Sequence, residues 1–171
     1  IYIQDFLKRF ELPEIDIIIG NPPFNNKSIK KVPTNKEKIK GNDGITVWTS
    51  IIKKALNILS SNGYLLTIIP CIWMKPDKAK MYDFITNYKI KKLRCFSNTE
   101  TNQIFNKNAQ TPTSILYLKK IPNDFNVLIY DKDMNTYIDY SYSKNEPLPV
   151  FGASILSKIK TKNNIKNIIK T

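Results

Sequence analysis

The segment Asn21-Pro22-Pro23-Phe24 contains the residues best suited to chemistry in this sequence. It directly follows the short apolar run 15–20. The two prolines fix the backbone φ angle and stiffen the loop. The side-chain carbonyl of Asn21 and the main-chain carbonyl of Pro22 can both accept hydrogen bonds from an amino group, and Phe24 can lie against a flat ring. The combination indicates chemistry on an exocyclic amine of a base.

Several common classes of site are excluded by composition. The sequence has no histidine, and its two cysteines, Cys71 and Cys95, lie far apart. Zinc sites use closely spaced Cys and His ligands, and Ser-His-Asp or Cys-His catalysis requires an imidazole. We therefore expect no metal site and a mechanism without histidine. Two free cysteines are typical of a reducing, intracellular compartment.

The charge balance predicts a polyanionic partner. The net charge is +13, from 27 basic and 14 acidic residues, and such an excess attracts nucleic acid. Part of it can reflect a composition rich in Lys, Ile and Asn. The polar stretch 25–43 is read as a long loop, and we expect Lys27, Lys30 and Lys31 within it to contact phosphates. No apolar stretch is long enough for a membrane span.

Hydrophobic periodicity places the elements around this loop. It predicts strands over 15–20, 64–69, 90–96, 113–118 and 126–130, helices over 44–61 and 77–88, and a polar loop over 97–111. This order is typical of an α/β sheet that ends in a hairpin formed by the last two strands. Trp48 and Trp73 are expected in the core. Residues 132–150 read as a connector, and 154–171 as a basic segment with an apolar helical stripe.

The stretch 15–25 resembles the catalytic motif of the S-adenosylmethionine-dependent adenine-N6 DNA methyltransferases. The similarity is to the Asn-Pro-Pro-Tyr or Phe type, which includes fused type II restriction-modification enzymes. Segments 62–74 and 105–115 follow in the family's order. The resemblance implies the second half of a Rossmann-like class I methyltransferase sheet, mainly parallel with a terminal antiparallel hairpin and with helices on both faces. It implies a partial catalytic domain over 1–131, followed over 132–171 by a connector and the start of a target-recognition or partner-binding segment.

The resemblance also implies roles for individual residues. The implied reaction moves a methyl group from S-adenosylmethionine to the amino group of a flipped adenine. The implied catalytic residues are Asn21, Pro22, Pro23 and Phe24. The cofactor-binding candidate is Asp16. The substrate-binding candidates are Phe105, Thr111, Pro112 and Thr113, together with Lys27, Lys30 and Lys31.

One departure from the family concerns the cofactor. The family binds S-adenosylmethionine on a glycine-rich turn, whereas this sequence has five glycines and no Gly-x-Gly. Since the chain begins with Ile1, we expect that half of the fold upstream or on another polypeptide. Two alternatives stay open. One is an RNA N-methyltransferase with the same loop. The other is a degenerate, non-catalytic methyltransferase fold that serves as a nucleic-acid-binding or assembly subunit.

Overall fold

The structure is a computed structural model, and it describes residues 6–7, 14–25, 46–106 and 111–162. The strands are β1 Ile15–Gly20, β2 Leu59–Pro70, β3 Tyr88–Phe96, β4 Thr113–Pro122, β5 Asn126–Asp131 and β6 Thr136–Ser141. The helices are α1 Trp48–Ile58, α2 Met81–Thr86, α3 Asn98–Ile104 and α4 Ala153–Lys162, and a 3-10 turn spans Cys71–Met74. None of the helices described is long and apolar enough to cross a membrane.

The strands form one six-stranded sheet in the order β1-β2-β4-β3-β5-β6. The pairs β1–β2 and β3–β5 are parallel, and the other three pairs are antiparallel. The predicted α/β class and the antiparallel hairpin at the end of the sheet are confirmed. The predicted partners of that hairpin are wrong, because β4 returns between β2 and β3 and the hairpin consists of β5 and β6.

One face of the sheet, which we call the inner face, holds the hydrophobic core. Alternate residues of the central strands, such as Leu65, Leu93 and Leu116, are buried there against α1 and α2. Trp48 is 4% exposed and Trp73 is fully buried, as predicted. Trp73 Nε1 donates to Ser114 Oγ at 3.1 Å, which satisfies the one polar atom that the indole brings into the core.

The boundary between α1 and β2 differs from the prediction. The helix ends at Ile58, not at residue 61, and Asn62 and Gly63 form an irregularity inside β2. The pairing register between β1 and β2 shifts at this point, because Ile15 pairs with Leu59 whereas Ile17, the next paired residue on β1, pairs with Tyr64. Asn62 has φ 67°, and a Cβ on Gly63 would lie 2.8 Å from the Leu59 side chain. Glycine is therefore required by the close packing of this bulge.

Two elements lie where the sequence reading predicted irregular structure. The first is α3, within the predicted polar loop 97–111, and the second is β6, within the predicted connector 132–150. The predicted division between residues 131 and 132 falls in the turn of the β5–β6 hairpin. The buried residues Tyr140, Leu148 and Ala153 belong to the same core as the preceding strands. The helix predicted over 77–88 is shorter, since α2 begins at Met81.

Candidate functional site

The loop Asn21–Phe24 stands at the edge of the sheet where β1 and β2 end. Pro70, the last residue of β2, pairs with Thr113, the first residue of the antiparallel β4. Thr113 also pairs with Phe96 at the end of β3. The topology therefore brings the loop, the turn Cys71–Met74 and the segment 111–113 to one edge of the sheet. Carboxyl ends of strands are the usual place for ligand sites in α/β sheets.

Backbone hydrogen bonds hold the loop at both of its ends. Gly20 pairs with Thr67 of β2, and the carbonyl of Phe24 accepts a hydrogen bond from Val47 N at 3.1 Å. Asn25 forms an isolated antiparallel bridge with Thr46, just before α1. These contacts fix the loop between a strand and the start of a helix. Such preorganisation is what positioning catalysis requires.

The four loop residues differ in exposure. Pro22 is buried and Phe24 is half-buried against the hydrophobic core, whereas Asn21 and Pro23 are exposed. The buried proline anchors the backbone, so the Asn21 amide is presented on a rigid support. Phe24 offers only part of its ring, because its other side packs against the protein. The structure thus brings together an accessible amide, a proline carbonyl and a partly accessible aromatic ring.

A cavity of about 250 Å³ lies beside this loop, between β1 and α1. Its lining includes Phe6, Ile18, Asn21, Pro22, Ile52 and Thr67. Thr67 is 2% exposed, and its Oγ1 has no hydrogen-bond partner among the residues that the structure describes. A buried polar atom without a partner is costly. An apolar cavity with one unpaired hydroxyl suits a flat ring that carries a hydrogen-bonding group at its edge.

The cavity fits S-adenosylmethionine only in part. Its lining suits the ring end of the cofactor, and Thr67 can supply one hydrogen bond to a polar edge. Among the described residues that line it, no side chain is charged, so these residues offer no counter-ion to the amino-acid end of the cofactor. Elsewhere in the described ranges, no group of three or more His, Cys, Asp or Glu is placed to hold a metal ion.

The location of Asp16 does not favour the predicted cofactor contact. Asp16 is the second residue of β1, and its Oδ1 accepts a hydrogen bond from Ser60 Oγ at 2.7 Å. Asn21 lies five positions further along the chain, a distance of about 16 Å in an extended strand. The carboxylate fixes the bulge of β2 at the opposite end of the strand from the loop. Asp16 therefore has a structural partner in Ser60, and its contact with the cofactor stays a prediction.

The predicted base-pocket residues divide into two groups. Thr113 is fully buried, and its Oγ1 lies 3.0 Å from Thr101 Oγ1, so its hydroxyl serves the packing of α3. The carbonyl of Pro112 accepts a hydrogen bond from Cys71 N at 2.9 Å, which joins the segment to the turn after β2. Thr111 is exposed and Phe105 is half-buried. Thr111 and Phe105 therefore keep surface that a ligand could contact.

The lysines predicted to contact phosphates lie outside the described residues. Lys27, Lys30 and Lys31 fall between residues 25 and 46. Their role stays a prediction that rests on charge and on their place directly after the loop.

The sequence reading missed two apolar side chains near this edge. Ile72, on the turn Cys71–Met74, is 56% exposed, and Ile104, the last residue of α3, is 52% exposed. Large aliphatic side chains that stay this exposed can contact a ligand. The signal for Ile72 was its place two residues after Pro70, which closes a predicted strand. The signal for Ile104 was hidden because α3 was not predicted.

Helix α3 is held by a capping box. Ser97 Oγ accepts a hydrogen bond from Glu100 N at 3.3 Å, and Glu100 Oε2 accepts from Ser97 N at 2.8 Å. The Lys132 ammonium also donates a hydrogen bond to this carboxylate. This hydrogen bond is the largest of the causes that lower the pKa of Glu100 to about 2. The hydrogen bonds from Ser97 lower the pKa as well, while burial raises it. The carboxylate thus links α3 to the β5–β6 turn.

Comparison with known proteins identifies relatives. Residues 2–105 match the family model of the Eco57I restriction-modification methylases. The type II restriction enzyme and methyltransferase RM.Eco57I of Escherichia coli is 30% identical in an alignment of 135 residues, and the match covers 73% of this chain and 13% of that protein. The chain therefore spans a small part of the length of this relative.

Solved structures of low sequence identity also resemble the chain. One is the M protein of the type I restriction enzyme EcoKI, which is 16% identical with a TM-score of 0.48; the match covers 81% of this chain and 29% of that chain. Another is a type I restriction-modification methyltransferase subunit from Streptococcus thermophilus. It is 17% identical with a TM-score of 0.46, and the match covers 89% of this chain and 32% of that chain.

The family match includes the whole of β1, the loop Asn21–Phe24, the turn Cys71–Met74 and helix α3. It covers 104 of the 171 residues, which is more than half of the chain. These are the elements that form the edge of the sheet described above. The chain belongs to the Eco57I restriction-modification methylase family.

Proposed function

We propose that this chain supplies the catalytic-loop half of an adenine-N6 DNA methyltransferase. In this proposal a further polypeptide segment carries the cofactor-binding half, and the two together form what we call the complete enzyme. The single observation that carries the proposal is the exposed Asn21 amide on a braced Asn-Pro-Pro-Phe loop, at the edge of the sheet and beside a cavity. Family membership and the basic charge support it.

The chain's own residues would act by positioning. The Asn21 side-chain oxygen and the Pro22 carbonyl accept the two hydrogens of the adenine amino group. This holds the nitrogen in a more tetrahedral form, so its lone pair no longer delocalises into the ring. When bound, S-adenosylmethionine supplies the methyl group as an activated sulfonium. Accepting these hydrogen bonds needs no general base, which agrees with a sequence that lacks histidine. After the transfer, the methylated nitrogen would lose one of its two protons to solvent.

The remaining parts of the site would hold the base. The target base must leave the duplex to reach a loop of this kind. The accessible part of Phe24 stacks on it, an interaction worth about 1–3 kcal/mol. Ile72 on the neighbouring turn adds apolar contact, and Thr111 and Phe105 border the same edge. In this proposal the ring end of the cofactor enters the cavity beside Thr67.

A non-catalytic role is the second candidate, and one observation favours it. The sequence contains no Gly-x-Gly turn of the kind that binds the cofactor in the resembling family. A chain without access to such a turn would keep the fold and lose the reaction. It would then serve as a DNA-binding or assembly subunit.

The experiment is a methyl-transfer assay on the complete enzyme with radiolabelled S-adenosylmethionine. The substrates are unmethylated DNA and, in a parallel reaction, RNA of matched sequence. Nucleosides are then separated after digestion. The proposal predicts label in N6-methyldeoxyadenosine and none in RNA. Label in RNA alone would support the alternative substrate, and an assembly that binds DNA without transferring label would support the non-catalytic role.

A further inference from the structure

The face of the sheet opposite the hydrophobic core carries a group of cations and tyrosines across β3, β5 and β6. Residues that alternate along a strand share a face, and paired residues on neighbouring strands lie side by side. Lys92 pairs with Leu128 of β5, and Tyr130 of β5 pairs with Tyr137 of β6. Together, Lys91, Lys92, Arg94, Tyr130 and Tyr137 form what we call the cation–tyrosine surface.

A bulge in β3 gives this surface two consecutive lysines. The pairing register between β3 and β4 shifts between Ile90 and Lys92, so that Lys91 is an extra residue at this point. Ile90 and Leu93 are fully buried in the core, whereas the two lysines between them are both exposed. A regular strand would expose one residue there, and a bulge is a known means of redirecting side chains.

Aromatic rings hold two of the cations in place. The Arg94 guanidinium lies 4.3 Å from the centre of the Tyr130 ring and 5.2 Å from the centre of the Phe96 ring. Lys92 Nζ lies 5.2 Å from the centre of the Tyr137 ring. Tyr130 and Tyr137 in turn pack edge to face, with ring centroids 5.4 Å apart. A long side chain that is already ordered loses less conformational entropy when it binds a ligand.

Ion pairs within the described part of the chain leave these cations unneutralised. The described ion pairs join Lys89 to Asp124, Lys132 to Glu100 and Lys160 to Glu146. A groove of about 230 Å³ adjoins the surface, and Lys89, Lys91 and Lys92 line it together with a single described carboxylate, that of Asp139. An excess of positive charge held in this way favours an anionic ligand, and the planar fork of an arginine suits a phosphate.

The surface lies along the same edge of the sheet as the loop Asn21–Phe24. Strands β3 and β5 run in the same direction as β1 and β2, so all four end at this edge. Arg94 pairs with Ile115 of β4, and Ile115 pairs with Ile68 of β2, which follows the partner of Gly20. Three strand spacings, or about 14 Å, therefore separate Arg94 from the start of the loop. Each strand of a DNA duplex carries a phosphate every 3.4 Å or so, which makes this distance about four base pairs.

We propose that the cation–tyrosine surface binds the phosphodiester backbone of the DNA that flanks the target adenine. Lys91, Lys92 and Arg94 would contact phosphates about four base pairs to one side of the flipped base. Strands β5 and β6 follow residues 2–105, which match the family model, so two of the three strands of this surface lie outside the matched segment. The inference rests on the proposed function, and it assigns to these strands a contact that orients the duplex.

Stacking of bases on the two tyrosines fits this surface less well. Bases stack on ring faces that are open to solvent. Here Lys92 lies over the Tyr137 ring, and Arg94 lies over the Tyr130 ring. The rings thus support cations, and the cations meet the ligand. Contacts to phosphate carry no sequence information, so we expect the surface to affect the binding of all DNA sequences equally.

The test is DNA binding by the complete enzyme, measured by fluorescence anisotropy over a series of salt concentrations. Lys91→Gln, Lys92→Gln and Arg94→Gln should each weaken binding by about 10-fold. Each should also reduce the slope of log affinity against log salt concentration by about 0.9, the value of one phosphate contact. Unchanged affinity and slope in all three variants would overturn the proposal.

The matched control is Lys53→Gln on α1. Lys53 is exposed and also lies over an aromatic ring, with Nζ 5.9 Å from the centre of the Phe84 ring, but it lies on the core side of the sheet. Its substitution removes the same charge and the same kind of ring contact, and it should leave DNA affinity and the salt slope unchanged. An equal loss in Lys53→Gln would show that net charge alone sets the affinity, and it would refute a localised surface.

Asp139→Asn provides a test of opposite sign. It removes the carboxylate from the groove beside Lys91 and Lys92, so DNA binding should become tighter at low ionic strength, where screening is weak. A variant that is merely misfolded cannot bind more tightly, so this result is independent of any effect of the other substitutions on folding. Unchanged or weaker binding by Asp139→Asn would contradict the proposal.

The outcomes separate this inference from the proposed function. In a complete enzyme that methylates DNA, the three substitutions should raise the KM for DNA and leave kcat unchanged. Methylation with a wild-type KM would refute the phosphate contacts and leave the function intact. Weakened DNA binding in a complete enzyme that transfers no methyl group would refute the function and leave the surface intact. The same loss of salt slope with RNA, and none with DNA, would refute DNA as the ligand.

Discussion

Substitution of Glu100 by glutamine should weaken the attachment of α3 to the rest of the fold. The carboxylate accepts hydrogen bonds from Ser97 N and Oγ at 2.8 and 2.9 Å, and from Lys132. A helix cap contributes about 0.5–2 kcal/mol, and a surface ion pair contributes about 0–1 kcal/mol. The Glu100 side chain is 35% exposed, so solvent screens its charge. We expect Glu100→Gln to lower the free energy of unfolding by about 1 kcal/mol.

The pH dependence follows from the lowered pKa of Glu100. Its value is about 2 in the folded protein, against an ordinary value of 4.5. As the pH falls, the unfolded chain takes up this proton first. The stabilisation is therefore fully present above pH 4.5 and is lost as the pH falls towards 2. The stability gap between the wild type and Glu100→Gln should narrow over that range.

Urea denaturation followed by circular dichroism measures this gap. It would be recorded at neutral pH and again at a pH between the two pKa values of Glu100. The matched control is Glu14→Gln, which changes an exposed glutamate just before β1 and should have little effect. A Glu100→Gln protein as stable as the wild type at neutral pH would refute the reasoning. A gap that does not narrow in acid would refute the electrostatic part of it.

Three further substitutions test the site and its support. Thr113→Val should cost about 1–3 kcal/mol of unfolding free energy by leaving Thr101 Oγ1 unpaired, while the kcat of the folded complete enzyme stays unchanged; a large loss of kcat would return Thr113 to the base pocket. Asp131→Asn should destabilise the protein at neutral pH. Hydrogen bonds to the buried Asp131 carboxylate, the most important of which comes from Ser154 N, hold its pKa below the usual value. Equal urea midpoints for the variant and the wild type would contradict this prediction. Gly20→Ala should leave the free energy of unfolding within about 0.5 kcal/mol of the wild-type value, since a Cβ there meets nothing within 4 Å. The same substitution should raise the KM for S-adenosylmethionine or DNA, because the ligands approach the cavity closely in this account. Unchanged KM values would place both ligands elsewhere.

The parts of the fold that were predicted correctly have strong local signals. The apolar spacing of α1, with Ile52, Ala55 and Leu56 buried on one face, is readable in the sequence. The short β-branched run before Asn21 likewise predicted β1. The loop itself was identified by its resemblance to the family's catalytic motif and by the order of the segments around it, since Asn-Pro and Pro-Pro are by themselves ordinary turn dipeptides.

The parts that were missed depend on pairing between distant segments. The insertion of β4 between β2 and β3 follows from contacts such as Leu116 beside Thr67, and no local pattern encodes it. Helix α3 did have a local signal, the Ser-x-x-Glu spacing of Ser97 and Glu100, which is a capping box. Its polar composition concealed it.

The roles of the site residues depend on the tertiary fold for a related reason. Burial decides whether a side chain serves packing or a ligand, and burial follows from the tertiary fold. Thr113 and Asp16 were candidates through the resemblance to the family, and both have hydrogen-bonding partners within the protein. Ile72 was overlooked because its place after a predicted strand end was its one sequence signal, and the exposure of its side chain follows from the tertiary fold.

The rate of methyl transfer by the Asn21→Ala variant of the complete enzyme tests the central claim most directly. The account predicts a loss of about 100-fold or more in kcat, the size expected for a positioned hydrogen-bonding group, with the affinity for S-adenosylmethionine and the unfolding midpoint both unchanged. Asn57→Ala, at an exposed position on α1, is the matched control and should retain full activity. An Asn21→Ala enzyme that transfers methyl groups at the wild-type rate would contradict the account.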